Sequence, residues 1–235
     1  MKRFLSLLLC LISIGFLAIA EPTQAPAPRD LMIDAIIQNA KELYDKAGGR
    51  LQSAHYASDI YLCKNFTVEV FKRSRDGFAL KEYPDVQLVI PNNLPKEQSK
   101  PHQYGIEWEH IAPENGNPFE LAAQFKYNND LSKKENIQLA TEFMHQVKRG
   151  DYFQMSAKYY YGVGAHSLIF IADYDPDTDS VHWTDSNMKG QKKKGIRHGL
   201  AQFDAVKKVE WFVDAFCQPG RGASLYRLRE DIIQK

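Results

Sequence analysis

The sequence has few cysteines, almost no net charge and few long apolar stretches, and each scarcity excludes a class of protein. Three cysteines in 235 residues are too few for a small domain held together by disulfides. Because 30 Lys and Arg residues balance 29 Asp and Glu residues, the charge gives no reason to expect nucleic acid as a partner. No repeat with a solenoid period is visible. The remaining composition, 44% hydrophobic and 25% charged, is typical of a globular enzyme.

The one long apolar stretch lies at the start of the chain and predicts an export signal. Lys2 and Arg3 give it a positive start, and it ends in a small-x-small pattern at Ala18 and Ala20. That pattern is typical of a signal peptidase site, and the run is short for a membrane anchor. We therefore expect residues 1–20 to be a signal peptide. The mature protein is then exported, periplasmic or secreted, with no stable membrane span after cleavage.

The rest of the chain is predicted to be one domain on a tether. Residues 21–29 contain three prolines and predict an extended linker. Residues 30–235 predict a single domain, in which the segment at about 77–130 shows little regular patterning and is interpreted as an insertion.

Helix patterns precede strand patterns along the domain, an order that predicts an α+β fold. The first helix has an N-cap at Asp30, and the third has a capping box formed by Ser132 and Glu135. Strands are predicted where β-branched and aromatic residues are concentrated. The predicted helices cover about 30–47, 58–74 and 132–148, and the predicted strands 152–158, 166–174, 180–184 and 208–216.

Cys63 is the candidate nucleophile. It lies in the first or second turn of the predicted second helix, where unpaired backbone N–H groups and the helix dipole favour a thiolate. A thiolate attacks an amide carbonyl, but it needs a base that also supplies a proton to the leaving amine. Two other interpretations stay open from the residues alone. Cys63 can pair with Cys217, since exported proteins form disulfides, or it can be a buried, inert thiol.

His166 is the candidate base, and Asp185 is the candidate group that orients it. His166 opens a predicted strand after a glycine-rich turn at 162–165, so the sheet would hold it rigidly near the surface. Asp185 ends the next predicted strand. Two adjacent antiparallel strands can bring the carboxylate beside the imidazole, where it fixes the tautomer and stabilises the imidazolium. Asn187, two residues further on, is expected to share this orienting role or to donate to substrate.

This order of residues resembles that of the papain-like bacterial cell-wall hydrolases, which include the CHAP-type and NlpC-type amidases and endopeptidases. Residues 61–66 are similar to their nucleophile helix, in which an aromatic residue follows the cysteine by three positions. Residues 149–152 resemble the Gly-Asp turn that leads into the sheet ahead of the histidine strand. Residues 185–187 resemble the acid-x-Asn segment of the CHAP type.

The resemblance implies an α+β, papain-like fold, with N-terminal helices packed on an antiparallel sheet. It also implies the roles of four residues. Cys63 would be the nucleophile, His166 the general base and acid, Asp185 its orienting partner and Asn187 an auxiliary group. Together with the export signal, it predicts a cysteine amidase or endopeptidase that cleaves amide bonds in peptidoglycan stem peptides. Two alternatives remain: a papain-like thiol peptidase or acyltransferase acting on protein, and a catalytically inactive cell-wall-binding module.

Substrate contacts are expected from three aromatic side chains. Tyr61 is a suggested second donor to the oxyanion, and Tyr104 and Trp108 are able to stack on substrate. The nearby Glu-x-Glu-His sequence at 107–110 lacks an established ligand spacing, so no metal site is expected. Acyl transfer through a thiolate requires no organic cofactor either.

Overall fold

A computed structural model of the chain describes residues 27–47, 63–81, 87–88, 119–159, 162–189, 198–230 and 233–234. The predicted signal peptide and most of the predicted linker lie outside the described residues. The helices of the described part are α1 (Pro28–Ala47), α2 (Cys63–Lys81), α3 (Lys133–Met144) and α4 (Val209–Phe216). The strands are β1 (Gln87–Leu88), β2 (Phe119–Lys126), β3 (Tyr152–Tyr159), β4 (Gly162–Phe170), β5 (Ser180–Lys189), β6 (His198–Lys208), β7 (Gly222–Leu228) and β8 (Ile233–Gln234).

Helix α1 begins two residues earlier than the sequence predicts. The backbone N–H groups of Asp30 and Leu31 donate to the carbonyl of Ala27, so the first turn already includes Pro28. Proline is well suited to the first helical position, because its missing N–H has no partner there in any helix. Pro28 and Arg29, which the sequence places in the linker, therefore belong to α1.

Helix α2 runs further than expected, because it continues past Ser74 to Lys81. Its last turn therefore lies inside the segment interpreted as an insertion. The helical spacing of Phe66, Val70 and Phe71 predicts one apolar face, and all three are buried. The predicted beginning of this helix, at about residue 58, lies outside the described residues.

Six strands form one open antiparallel sheet in the order β2-β7-β3-β4-β5-β6. Strands β3 to β6 form a meander, and β7 returns to pair with the other side of β3. Strand β2, which falls within the predicted insertion, pairs with β7 and forms one edge of the sheet. The α+β prediction is confirmed.

Helices cover both faces of the sheet. Side chains alternate between the two faces along each strand, so neighbouring residues pack against different helices. On β3, Tyr152 packs in a cluster with the apolar side chains of α1 and α2. The next residue, Phe153, packs in a second cluster with α3 and α4. The sheet is thus the middle layer of three. No helix in the described part of the chain is long and apolar enough to cross a membrane.

The predicted strand at 208–216 is wrong, because these residues form helix α4. Their aromatic and β-branched composition favours a strand. Their spacing favours a helix: the buried side chains are Val209, Phe212, Val213 and Phe216, at positions i, i+3, i+4 and i+7.

The predicted Gly-Asp turn leads from α3 into β3 and is tied to distant parts of the fold. Gly150 has φ 88°, and a Cβ at this position would lie 2.8 Å from Cγ1 of Ile33 on α1. Asp151 is fully buried, and its carboxylate accepts from the backbone N–H of Lys148 and from two guanidinium nitrogens of Arg227, at 2.7–2.9 Å. Burial raises the pKa of Asp151, and Arg227 opposes that rise.

Candidate active site

Three side chains that are far apart in sequence meet in one line of contacts. Nδ1 of His166 lies 3.3 Å from Sγ of Cys63, and Nε2 of the same ring lies 2.6 Å from Oδ2 of Asp185. His166 and Asp185 are both 3% exposed, whereas Cys63 is half-buried. The imidazole therefore joins a half-buried thiol to an almost fully buried carboxylate.

Cys63 is the first residue of α2 and has an unusual backbone conformation. Its φ of 42° lies in the left-handed region, which residues other than glycine adopt at a cost. Such conformations concentrate at active sites, where the surrounding structure enforces them.

His166 lies within a strand rather than at its start. The residues predicted to form a turn, 162–165, are the first four of β4, and Gly162 pairs with Tyr159 across the ladder with β3. The prediction of a turn was wrong because pairing with β3 outweighs the low strand propensity of glycine. His166 is therefore the fifth residue of β4, opposite Met155, and it is buried rather than near the surface.

Asp185 lies in the middle of β5, because this strand continues to Lys189 instead of ending at residue 185. Strands β4 and β5 pair Ile169 with Thr184. In an antiparallel pair, His166, which precedes Ile169, and Asp185, which follows Thr184, lie on the same side of that pairing. The two neighbouring strands thus bring the imidazole and the carboxylate into contact.

Gln202 is a fourth member of the site, which the sequence reasoning missed. It lies on β6 directly opposite Asp185, and its Nε2 donates to Oδ1 of Asp185 at 3.1 Å. No local signal marks this residue, because its position depends on how β5 and β6 pair. The known register of a neighbouring strand would have been needed to find it.

The other predicted site residues are placed only in part. Asn187 is half-buried on β5 and pairs with Leu200 on β6. It lies on the same face of β5 as Asp185, since it is two positions further along the strand. Its auxiliary role stays a prediction. Tyr61, Tyr104 and Trp108 lie outside the described residues, as does the Glu-x-Glu-His sequence.

The alternative of a disulfide between Cys63 and Cys217 is wrong, because both are free thiols. Cys217 is the C-cap residue of α4 instead of the end of a strand. It packs in the apolar cluster on the α3 and α4 face and is 4% exposed. Burial raises the pKa of the Cys217 thiol. The two cysteines thus have opposite environments: one is beside an imidazole and accessible, and the other is surrounded by apolar side chains.

The arrangement is suited to nucleophilic catalysis. When Nε2–H of His166 donates to the Asp185 carboxylate, Nδ1 is left to exchange a proton with the sulfur. Within the described ranges, no group of three or more His, Cys, Asp or Glu side chains is placed to hold a metal ion.

Comparisons of this chain with protein-family models, with curated proteins and with solved structures find no match.

Proposed function

We propose that this protein is an exported cysteine hydrolase of papain-like type, which cleaves amide bonds by acyl transfer. The observation that carries the proposal is the continuous contact from Sγ of Cys63 through His166 to the Asp185 carboxylate. A nucleophile in contact with a base, and a base held by a third group, is the arrangement that activates a nucleophilic side chain.

In the first half-reaction the Cys63 thiolate attacks the amide carbonyl carbon, with His166 as the imidazolium. The C–N bond breaks, and Nδ1 of His166 gives its proton to the departing amine. The acyl group remains on Sγ as a thioester. In this proposal the backbone N–H of Cys63 donates to the developing oxyanion.

In the second half-reaction water hydrolyses the thioester. Neutral His166 takes a proton from the attacking water at Nδ1, and the sulfur leaves as a thiolate, which restores the thiolate and imidazolium pair that begins the cycle. Asp185 stabilises the imidazolium in both halves through its contact with Nε2. Since Asp185 is almost fully buried, this contact is electrostatically stronger than the same contact in water.

The free thiol of Cys63 supports an enzyme over an inactive binding module. The inactive alternative depended on a thiol locked by Cys217, and both thiols are free.

Peptidoglycan stem peptides are the proposed substrate. Two features support them: the predicted export signal, and the resemblance of the segments around Cys63, Gly150 and Asp185 to the CHAP-type and NlpC-type hydrolases. Peptide bonds of folded or denatured proteins are the competing substrate, since the same chemistry cleaves both.

The test uses the protein purified after export with its own leader. It is incubated with purified peptidoglycan and, separately, with a denatured protein, and newly formed amino groups are counted while mass spectrometry identifies the products. We expect release from peptidoglycan, with a loss of about a thousandfold or more in Cys63→Ala and none in Cys217→Ala. New amino groups formed from the denatured protein alone would identify protein, instead of peptidoglycan, as the substrate. Turnover by Cys63→Ala at the wild-type rate would overturn the mechanism.

A further inference from the structure

We propose that Gln202 is a positioning residue that holds the Asp185 carboxylate on His166, and that a one-residue bulge in β6 places it there. The inference rests on the proposed function, because it concerns the same site. It adds a residue and a backbone feature that no local pattern in the sequence indicates.

The two oxygens of Asp185 are both engaged. Oδ2 contacts Nε2 of His166 at 2.6 Å, and Oδ1 accepts from the Gln202 amide at 3.1 Å. A carboxylate held at only one oxygen can rotate about its χ2 torsion, which is broad. The second hydrogen bond fixes the plane of the carboxylate and thereby the direction of its contact with the imidazole.

The bulge sets which β6 side chain reaches Asp185. On one side of it Trp183 pairs with Ala205, and on the other Asp185 pairs with Gln202. One β5 residue, Thr184, is thus opposed by two β6 residues, which defines a β-bulge. If β6 had no bulge between Gln202 and Ala205, Phe203 would lie opposite Asp185.

The side chain of Phe203 shows why this extra residue matters. A regular strand would place its ring against the Asp185 carboxylate and would turn Gln202 to the other face of the sheet. With the bulge, the ring of Phe203 packs instead beside Tyr44 of α1, with centroids 6.2 Å apart.

Neighbouring groups on β5 hold the bulge in place. Asp204 has φ 54°, a left-handed conformation that Asp tolerates better than most residues. Its Oδ1 lies 2.7 Å from Nδ1 of His182, and the hydroxyl of Thr184 donates to the backbone carbonyl of Gln202 at 2.8 Å. These contacts satisfy polar groups on both sides of the irregularity.

The test measures the rate at which iodoacetamide alkylates Cys63 as a function of pH, by mass spectrometry of the full chain. This rate reports the thiolate and imidazolium pair and needs no substrate. We expect Gln202→Met, which keeps the volume but loses the donor, to lower the rate near pH 7 by about tenfold. The rise in reactivity should also move to higher pH, because a poorly oriented Asp185 stabilises the imidazolium less.

The matched control is Gln124→Met. Gln124 is also a half-buried strand glutamine whose Nε2 donates across a strand pair, to Oγ of Ser224 at 2.9 Å. This variant should leave the alkylation profile unchanged. If Gln202→Met does not fold, Gln202→Asn serves instead, since its amide is one methylene too short to reach Asp185.

The bulge is tested by two substitutions of one residue. Asp204→Asn tolerates a positive φ and keeps an oxygen that can lie against Nδ1 of His182, so it should keep the wild-type alkylation profile. Asp204→Val resists that conformation and should resemble Gln202→Met.

The outcomes separate the two proposals. A reactive wild-type Cys63 whose profile is unchanged in folded Gln202→Met would overturn the positioning role alone. A wild-type Cys63 no more reactive than an ordinary thiol would overturn the proposed function and this inference together.

Discussion

At the scale of single residues, the two described cysteines show how the environment decides the chemistry of a side chain. Cys63 is half-buried at a helix start beside an imidazole, whereas Cys217 is 4% exposed among apolar side chains. The reactive form of a thiol is the thiolate. Burial raises the pKa of Cys217, which withholds that form at neutral pH.

We therefore expect one fast-reacting thiol in the native protein. At neutral pH a small excess of iodoacetamide should modify Cys63 and leave Cys217 unmodified until the protein is unfolded. Peptide mass spectrometry before and after denaturation checks this. Cys217→Ala should leave the fast phase intact, and fast modification of Cys217 in the native state would contradict its seclusion.

At the scale of secondary-structure elements, local rules succeed where the partners are close in sequence. The capping box predicted for α3 is confirmed: the Ser132 hydroxyl accepts from the N–H of Glu135, and the Glu135 carboxylate accepts from the N–H of Ser132. The end of α3 was predicted about four residues too late, at 148 instead of Met144. The prediction of a strand from composition was wrong for α4, because aromatic and β-branched residues occur in a buried helix as well as in a strand.

We expect Ser132→Ala to lower the free energy of unfolding by about 1 kcal/mol, because the variant leaves a backbone N–H at the start of α3 without its acceptor. The hydrogen bonds with Ser132 hold the pKa of Glu135 below its ordinary value. The stability that ionised Glu135 contributes is therefore present above the ordinary glutamate pKa and is lost as pH falls through the lowered one.

The difference in the free energy of unfolding between wild type and Ser132→Ala should accordingly become smaller in acid. Urea unfolding at neutral pH and at about pH 3 measures it. Ser132→Asp, which keeps a capping acceptor, is the control and should retain most of the stability. If Ser132→Asp is as unstable as Ser132→Ala, the side-chain acceptor at this position does not stabilise the protein.

At the scale of the whole molecule, Asp151 links segments that lie far apart in sequence. Its buried carboxylate joins the turn after α3 to β7 through Arg227, and Arg227 also donates to the carbonyl of Gln146. A buried charge is tolerated only while it is paired. The ion pair therefore stabilises the fold only while both Asp151 and Arg227 are present.

We expect Arg227→Met to lower the free energy of unfolding by about 3 kcal/mol at neutral pH. This is the low end for a broken buried pair, because Arg227 is partly exposed and the Lys148 N–H remains. The folded-state pKa of Asp151 is already raised by burial and should rise further without Arg227. A raised folded pKa means that the protonated acid is favoured in the fold, so the deficit should shrink as pH falls.

Urea unfolding at pH 7 and pH 5 checks both the size and the direction of this change. Lys41→Met is the matched control, since it removes the exposed i,i+4 pair with Asp45 and should cost at most about 0.5 kcal/mol. Adding Asp151→Asn to Arg227→Met should recover part of the loss. A deficit that grows in acid would contradict the account of Asp151.

The sequence by itself determined the features that depend on near neighbours. The apolar face of α2, the α3 capping box and the α+β order all follow from spacing within a few residues. It also singled out Cys63, His166 and Asp185, because their chemistry and their places in that order are local properties.

Tertiary structure alone decided the features that depend on distant partners. The pairing of β5 with β6 brings Gln202 to Asp185, and the second helical layer encloses Cys217. The same holds for β4, where pairing with β3 extends a glycine-rich segment that local propensity predicts as a turn. The physical reason is that strand register and burial are set by contacts across the sheet, whose energies outweigh local conformational preferences.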